Sequence, residues 1–288
     1  MNWYIYSMIA ALLMAAAVIL EKKNLNKIHA LEFSTETSFY GLLFSFFLLP
    51  WVELHLHFST YLLLLVQGTT ALFAFLLFNK ALRHSDVSEA APLTNFDIVT
   101  TLLFSSLFLG DFPKLPQIAG MLFILAGTYL LELPPHGSYL DPFKSFTKRK
   151  GLYLMLPAML LYGLNKTLGK IALDQVSPIT LIFFAYLVFF VGYVILDLFF
   201  FRENITKLRG LLKTHGPGLF MTSLAVFGYR LFMTFAIASG SVSLVTAVTR
   251  TSTLFSAFGG GKLFAEKNLN RRLVASAVIL FGVLFIIL

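Results

Sequence analysis

The chain has 288 residues, of which 58% are hydrophobic and only 12% are charged. Soluble domains are typically about 45–50% apolar and roughly 25% charged, so a soluble core of this size could not bury the apolar excess. The chain contains no cysteine, which excludes disulfides and cysteine-ligated metals. The composition therefore indicates an integral membrane protein.

Ten apolar runs are long enough to cross a bilayer, which requires roughly 20 residues per helix. They lie at about residues 3–20, 33–51, 60–79, 88–110, 115–133, 152–173, 178–201, 217–238, 241–262 and 272–288. We expect an all-α membrane protein with ten transmembrane helices and no separate soluble domain. The first run has no basic segment before it and no clear cleavage site after it, so we expect a retained helix rather than a signal peptide.

The formal charge of +8 is distributed very unequally between the two faces that alternate loops define. Two basic residues, Lys114 and Lys170, fall on one face. The other face carries Lys22, Lys23, Lys27, Lys80, Arg83, Lys144, Lys148, Arg149, Lys150, Arg202, Lys207, Arg209, Lys213, Lys262, Lys267, Arg271 and Arg272. The positive-inside rule makes this richer face cytoplasmic and explains the charge without a nucleic-acid partner. Both termini are then predicted to lie on the outer side. We expect the protein to reside in the plasma or inner membrane.

The two halves of the chain share a pattern on either side of a hydrophilic linker at residues 134–151. Three positions recur at the same spacing: Val87, Asp111 and Gly127 in the first half, and Val242, Glu266 and Gly282 in the second. Each half holds five spans, so the second half must enter the membrane in the opposite orientation. Inverted repeats are typical of secondary transporters with a substrate site near the bilayer midplane. We therefore expect residues 1–133 and 152–288 to form two inverted five-helix repeats joined by a cytoplasmic linker.

The recurring segments are VSEAAPLTNFDIVTTLLFSSLFLGDFPKLPQIAGMLFILAGTYLL and VSLVTAVTRTSTLFSAFGGGKLFAEKNLNRRLVASAVILFGVLFII. Each holds an apolar helix, a small-acidic corner (Gly110-Asp111 or Ala265-Glu266) and a final helix containing glycine. In these features, and over essentially its whole length, the chain resembles the EamA-type ten-helix permeases of the drug/metabolite transporter superfamily. The resemblance implies a substrate site enclosed between the halves and alternating access without enzymatic chemistry. Family members commonly place both termini in the cytoplasm, opposite to the orientation that the charges predict.

Four charged residues lie well inside the apolar runs, away from their ends: Asp97, Lys166, Arg230 and Arg250. A charge near the bilayer centre costs roughly 2.5–3.5 kcal/mol or more, so each is a functional candidate. Asn95 and Arg250 occupy equivalent positions of the two halves, and inverted symmetry would bring both close to the pseudo-twofold axis.

Two interpretations of these charges remain open. In the first, Arg250 and Arg230 bind a carboxylate or phosphate through paired hydrogen bonds, while Asp97 takes a proton or holds the arginine in the empty site. In the second, Asp97 and Arg250 form a structural ion pair. Lys166 either joins the site or extends to the outer surface beside Lys170.

Further polar residues are weaker candidates. Tyr162, Asn165 and Tyr229 either line a polar path or hydrogen-bond between helices. Glu89 and Pro92 lie at the cytoplasmic end of the fourth span, where the proline would kink the helix and form a gate or proton site. Glu89 could equally act as a helix cap that interacts favourably with the dipole.

The expected function is that of a secondary transporter for a small metabolite, such as an amino acid or another anionic solute. The alternatives are a membrane enzyme acting on lipid or peptide, an exporter of cationic drug-like compounds, and a channel. No serine-protease or HExxH motif is present, and the histidines fall in loops or interfaces, so we expect no catalytic residue, metal or cofactor. The expected partners are the solute and the lipid bilayer, with the protein a monomer or weak homodimer.

Overall fold

The computed structural model describes residues 2–84, 93–132, 152–200, 205–255 and 269–287. Within these residues there are ten α-helices, two short 3₁₀ turns and no β-strand, which confirms the expected all-α class. The helices are α1 (Trp3–Leu25), α2 (Ala30–Phe46), α3 (Phe58–Arg83), α4 (Phe96–Leu109), α5 (Leu115–Glu132), α6 (Met155–Leu173), α7 (Pro178–Phe200), α8 (Ile205–Ser239), α9 (Val242–Thr249) and α10 (Leu269–Ile287).

Among the residues that the structure describes, four segments are both long and apolar enough to cross a membrane: α1, α3, Pro178–Phe199 of α7 and Gly216–Ser239 of α8. Shorter apolar helices lie at Phe96–Leu109, Leu115–Leu130 and Val274–Ile287. Large apolar side chains such as Phe58 and Phe199 are more than four-fifths exposed on the outside of the bundle. Apolar surface of this kind is suited to contact with lipid.

Helix α1 continues past the apolar run that predicted it, through Glu21 and on to Leu25. Two polar contacts hold this extra turn. Asn24 donates from Nδ2 to Thr222 Oγ1 on α8 at 2.9 Å, and Lys22 donates from Nζ to the Leu82 carbonyl near the end of α3 at 2.9 Å. Hydrogen bonding therefore determines the end of α1, whereas the apolar run alone underestimates its length.

The start of α2 is fixed by a capping box. The side chain of His29 accepts a hydrogen bond from the backbone N–H of Leu31 at 3.4 Å, and Glu32 accepts one from the backbone N–H of His29 at 3.3 Å. Burial and the nearby positive charge of Arg83 lower the pKa of His29. The neutral ring that results keeps the acceptor nitrogen that the cap requires.

The helices pack so that seven of them surround a common interior. Helix α1 lies along α8, α3 lies along α6 and α7, and α4 crosses α6 and α9. Helix α2 packs on α7 and α8, while α5 and α10 pack closely on each other. The interior is bounded by α1, α3, α4, α6, α7, α8 and the end of α9.

Glycines permit the close approach of α5 and α10. A Cβ atom added at Gly120 would lie 2.6 Å from the Gly282 carbonyl oxygen, and one added at Gly282 would lie 2.6 Å from the Gly120 carbonyl oxygen. Small residues of this kind let membrane helices approach to backbone contact, where van der Waals packing holds them together.

Candidate functional site

The interior contains a cavity of about 130 Å³ with a mostly apolar wall. Its polar and charged lining residues are Glu21, Gln67, Asp97, Tyr162, Asn165, Lys166, Tyr229, Arg230, Thr234, Thr249 and Arg250. A cavity that is largely apolar and carries a few convergent polar groups is the usual form of a small-molecule site.

Asp97 joins three helices at one wall of this cavity. Its Oδ2 atom accepts hydrogen bonds from Lys166 Nζ on α6 and from Arg250 Nη2 at the end of α9. Thr101 Oγ1, one turn further along α4, donates to Oδ1 at 3.4 Å. The Asp97, Arg250 and Lys166 side chains are only 3%, 7% and 10% exposed. Two buried cations therefore share one carboxylate, and the cluster of three side chains has more positive than negative groups.

A glycine on α6 makes this arrangement possible. A Cβ atom at Gly163 would lie 2.7 Å from Thr100 Oγ1, so only glycine allows α4 and α6 to cross so closely. Thr100 also donates from Oγ1 to the Met159 carbonyl at 2.9 Å, which ties the same two helices together. Lys166 lies one turn after Gly163 and is thereby brought to Asp97 on α4.

The regular α-helical structure is interrupted by a turn close to Asp97 and by another at Arg250. Asn95 forms a turn before α4, and the backbone N–H of Ile98 donates to its carbonyl at 3.1 Å. Arg250 forms a turn after α9, and the N–H of Thr253 donates to its carbonyl at 3.1 Å. These three-residue hydrogen bonds replace α-helical ones, and tightened stretches of this kind in the middle of a helix often mark functional hinges.

Lys166 and Lys170 have different roles. Lys166 turns inward to Asp97, as one of the two sequence interpretations required. Lys170 donates from Nζ to the carbonyls of Ile237, Ala238 and Gly240 at 2.9, 3.3 and 3.4 Å. Lys170 thus caps the end of α8, where a cation interacts favourably with the helix dipole.

Arg230 lies among aromatic rings on α3, α7 and α8. Its guanidinium carbon is 4.7 Å from the ring centroids of both Phe75 and Phe189, and 5.9 and 6.0 Å from those of Tyr186 and Tyr229. It forms no ion pair with any residue that the structure describes, and its buried Nε has no hydrogen-bond partner there. Cation–π contacts stabilise the charge without using the Nε–H donor, and guanidinium donors of this kind bind oxyanions.

The other predicted residues divide into three groups. Tyr162, Asn165 and Tyr229 line the cavity, and Asn165 also donates from Nδ2 to the Gln67 carbonyl at 2.8 Å. Asn95 is 2% exposed and lies in the turn before α4, behind the cavity wall. The predicted gate at residues 89 and 92 lies outside the described residues.

Glu21 is a cavity residue that the sequence analysis missed. It is 2% exposed, and its Oε1 has no hydrogen-bond partner among the described residues. Met14, Val18 and Glu21 all line the cavity, because residues four and three apart lie on one helix face. Extension of that face beyond the apolar run would have identified Glu21.

The fold is a bundle of helices, several of them apolar enough to cross a membrane, around an internal cavity, and comparison with known proteins gives its class. The family model described as the EamA-like transporter family matches residues 1–133 and 149–288. The chain therefore belongs to the EamA-like transporter family, within the drug/metabolite transporter superfamily. It is a membrane transporter and not an enzyme.

Two individual proteins illustrate the similarity. A curated protein from Sinorhizobium sp., described as an uncharacterized transporter in the cobO 3′ region, is 35% identical over 74 residues. The match covers 26% of this chain and 52% of the relative, so it spans about half of the relative's length. A solved structure titled "Crystal structure of protein" has a TM-score of 0.74 at 15% identity, covering 98% of this chain and 95% of the other, and shares its fold.

Proposed function

We propose that the protein is a secondary transporter that carries a small anionic solute, such as an amino acid or another carboxylate, by alternating access. The observation that carries this proposal is the charge of the cavity wall. Lys166, Arg230 and Arg250 face it together with two carboxylates, Asp97 and Glu21. Guanidinium groups bind carboxylates and phosphates through paired, charge-assisted hydrogen bonds.

In the proposed site, Asp97 is the internal counter-ion of the empty transporter. An incoming oxyanion at Arg250 or Lys166 replaces one of the hydrogen bonds that Asp97 now accepts. Arg230, which has no carboxylate partner among the described residues, is a second anchor for the same solute. Tyr229 then lies beside the bound anion.

Further polar groups complete the proposed solute path. Tyr162 and Asn165 contribute polar contacts from α6, and Asn95 supports the turn from which Asp97 projects. Glu89 and Pro92 remain candidates for a gate or proton site at the cytoplasmic end of the fourth span that the sequence predicts.

The helix contacts support an inverted repeat. The first five helices correspond to the last five in chain order, so that α1 corresponds to α6, α2 to α7, α3 to α8 and α4 to α9. Under this exchange the contact of α1 with α8 becomes that of α6 with α3, the contact of α4 with α6 becomes that of α9 with α1, and the contact of α3 with α7 becomes that of α8 with α2. All six contacts occur. The sequence offset that aligns Asn95 with Arg250 also relates two contacts between α5 and α10. It turns the contact of Gly120 with Gly282 into that of Ala275 with Gly127, and both contacts occur. Two inverted repeats around a central site are the usual architecture for alternating access.

The charge distribution supports the orientation with both termini outside. The cytoplasmic face would then hold the ends of α1 and α3, with Lys22, Lys23, Lys80 and Arg83, and the linker at residues 134–151, with four further basic residues. The loop after α4 and the turn between α8 and α9 would lie on the outer face.

A thermal-shift screen of the detergent-purified protein tests the anion site. The compounds are glutamate, succinate, glucose 6-phosphate and tetraphenylphosphonium, applied to the wild type, Arg250→Ala and Lys114→Ala. Lys114 is the matched control, because it is an exposed base outside the cavity. A compound at a hundredfold excess over its Kd stabilises the protein by about 2.7 kcal/mol.

We expect at least one of the three anions to raise the melting temperature of the wild type and Lys114→Ala but not of Arg250→Ala. Arg250→Ala should still fold, since Asp97 keeps its hydrogen bond to Lys166. Equal stabilisation of all three proteins by tetraphenylphosphonium alone would contradict the proposal. That result would favour export of cationic compounds.

A further inference from the structure

Glu21 is a carboxyl group in an unusual position. It faces the cavity from α1, is 2% exposed, and accepts no hydrogen bond within the described part of the chain. Asp97, by contrast, accepts hydrogen bonds from two cations and a hydroxyl group. The two cavity carboxyl groups therefore differ, because two cations pair with Asp97 and no described residue pairs with Glu21.

Arg230 lines the same cavity as Glu21 and carries the charge opposite to that of an ionised carboxyl group. An ionised carboxylate that is buried without hydrogen bonds is costly, and it is commonly avoided by binding a proton. A positive charge in the same cavity, such as that of Arg230, opposes this by favouring the ionised form. Within the described residues, the other titratable groups of the cavity wall are Tyr229 on α8, Tyr162 and Lys166 on α6, Asp97 on α4 and Arg250 after α9. On its own helix, Lys22 and Lys23 follow Glu21 directly.

We propose that Glu21 binds a proton when a solute anion binds Arg230, so that the protein transports the anion and the proton together. An anion on Arg230 cancels the positive charge that favours ionised Glu21, and protonation of Glu21 in turn leaves Arg230 freer to hold the anion. The two ligands therefore increase each other's affinity by the same factor, as linkage requires. Positive coupling of this kind gives cotransport in one direction, whereas competition for one site would give exchange. The inference rests on the proposed function, because it assumes that the solute is an anion.

The coupling can be tested without a transported solute, because removal of the charge of Arg230 imitates its neutralisation by an anion. Infrared difference spectroscopy of the purified protein follows the C=O band of protonated carboxyl groups during a pH titration. The proteins compared are the wild type, Glu21→Gln, Arg230→Gln and Arg230→Lys. Glu36→Gln is the matched control, since Glu36 is also buried without hydrogen bonds but does not line the cavity.

We expect a titrating component of the C=O band that is lost in Glu21→Gln and kept in Glu36→Gln, even if Glu36 contributes a component of its own. In Arg230→Gln the midpoint of this band should move to higher pH by about one unit or more, as expected when an opposite charge nearby is removed. Arg230→Lys keeps the charge and should leave the midpoint within a few tenths of a unit. Arg230→Lys also serves as a folded reference if Arg230→Gln is unstable. Agreement of its midpoint with that of the wild type and loss of the band in Glu21→Gln are separate expectations, and each can fail by itself.

Absence of any titrating band that depends on Glu21, or an unchanged midpoint in Arg230→Gln, would overturn the coupling. The outcome is separate from that of the thermal-shift screen. If no anion stabilises the protein but the Glu21 midpoint still depends on Arg230, the anion proposal fails while the electrostatic coupling stands. If an anion binds and the midpoint does not depend on Arg230, the proposed function stands and the cotransport inference fails.

Discussion

A single residue, Asp97, determines how much net positive charge the cavity carries. It accepts hydrogen bonds from Lys166 and Arg250, whose side chains have almost no contact with solvent. A buried pair adds little net stability, but removal of one partner leaves an uncompensated charge and is strongly destabilising. The stability of the empty transporter and its affinity for an anion are therefore opposed at Asp97.

Asp97→Asn should show both effects. We expect the substitution to destabilise the solute-free protein by about 3–5 kcal/mol, since two buried cations lose their shared carboxylate. Citrate or inorganic phosphate should then raise the melting temperature of Asp97→Asn more than that of the wild type, by replacing the missing charge. Asp174→Asn is the control, because Asp174 is exposed on the loop after α6. An Asp97→Asn protein as stable as the wild type would show that the cluster carries no electrostatic role.

The sequence identified the charged residues of the cavity better than their partners. Asp97, Lys166 and Arg250 could be recognised because a charge inside an apolar run is costly and rarely present without a role. The contact between Lys166 and Asp97 could not, because it depends on the close α4–α6 crossing at Gly163, which is a property of tertiary packing. Glu21 was missed for a different reason: hydropathy ends the first span before it, whereas backbone hydrogen bonding continues.

The positions of the helices could be predicted well from the sequence. Ten apolar runs predicted ten helices, since each run must form its backbone hydrogen bonds internally in lipid. The interruptions at Asn95 and Arg250 were not predicted, because neither residue is a strong helix breaker. The α5–α10 contact was indicated only by the recurrence of Gly127 and Gly282. Its closeness becomes apparent in the reciprocal approach of the Gly120 and Gly282 carbonyls.

Gly282→Ala tests the role of this crossing. The added methyl group would lie 2.6 Å from the Gly120 carbonyl oxygen, so α5 and α10 must separate. Such overpacking typically costs about 1–3 kcal/mol, and we expect a lower melting temperature and a lower yield of monodisperse protein on gel filtration. Gly216→Ala is the matched control, because a Cβ atom there meets no atom within 4 Å. Equal melting temperatures for the two variants would show that α5 and α10 can move apart without cost.

Alternating access requires, at the scale of the whole molecule, that contacts between the halves open on one face at a time. One such contact joins the corner after α4 to the start of α9. Asp111 Oδ2 accepts hydrogen bonds from Ser241 Oγ at 2.7 Å and from Ser243 Oγ at 3.3 Å. Gly110 makes the corner possible, because its φ of +63° lies in the left-handed region that favours glycine. On the proposed topology this contact closes the cavity on the outer face.

Asp111→Ala should open that face, since it removes the acceptor that both serines use. The chain has no cysteine, so Thr234→Cys places a single thiol in the cavity wall. We expect a membrane-impermeant maleimide, added from the outer side of right-side-out vesicles, to label this thiol severalfold faster in the Asp111→Ala background. Asp174→Asn, which removes an exposed carboxylate from another loop of the same predicted face, should leave the rate unchanged. An unchanged rate in Asp111→Ala would mean that the contact does not limit access. Faster labelling only in inside-out vesicles would mean that the contact closes the cytoplasmic face and that the predicted orientation is wrong.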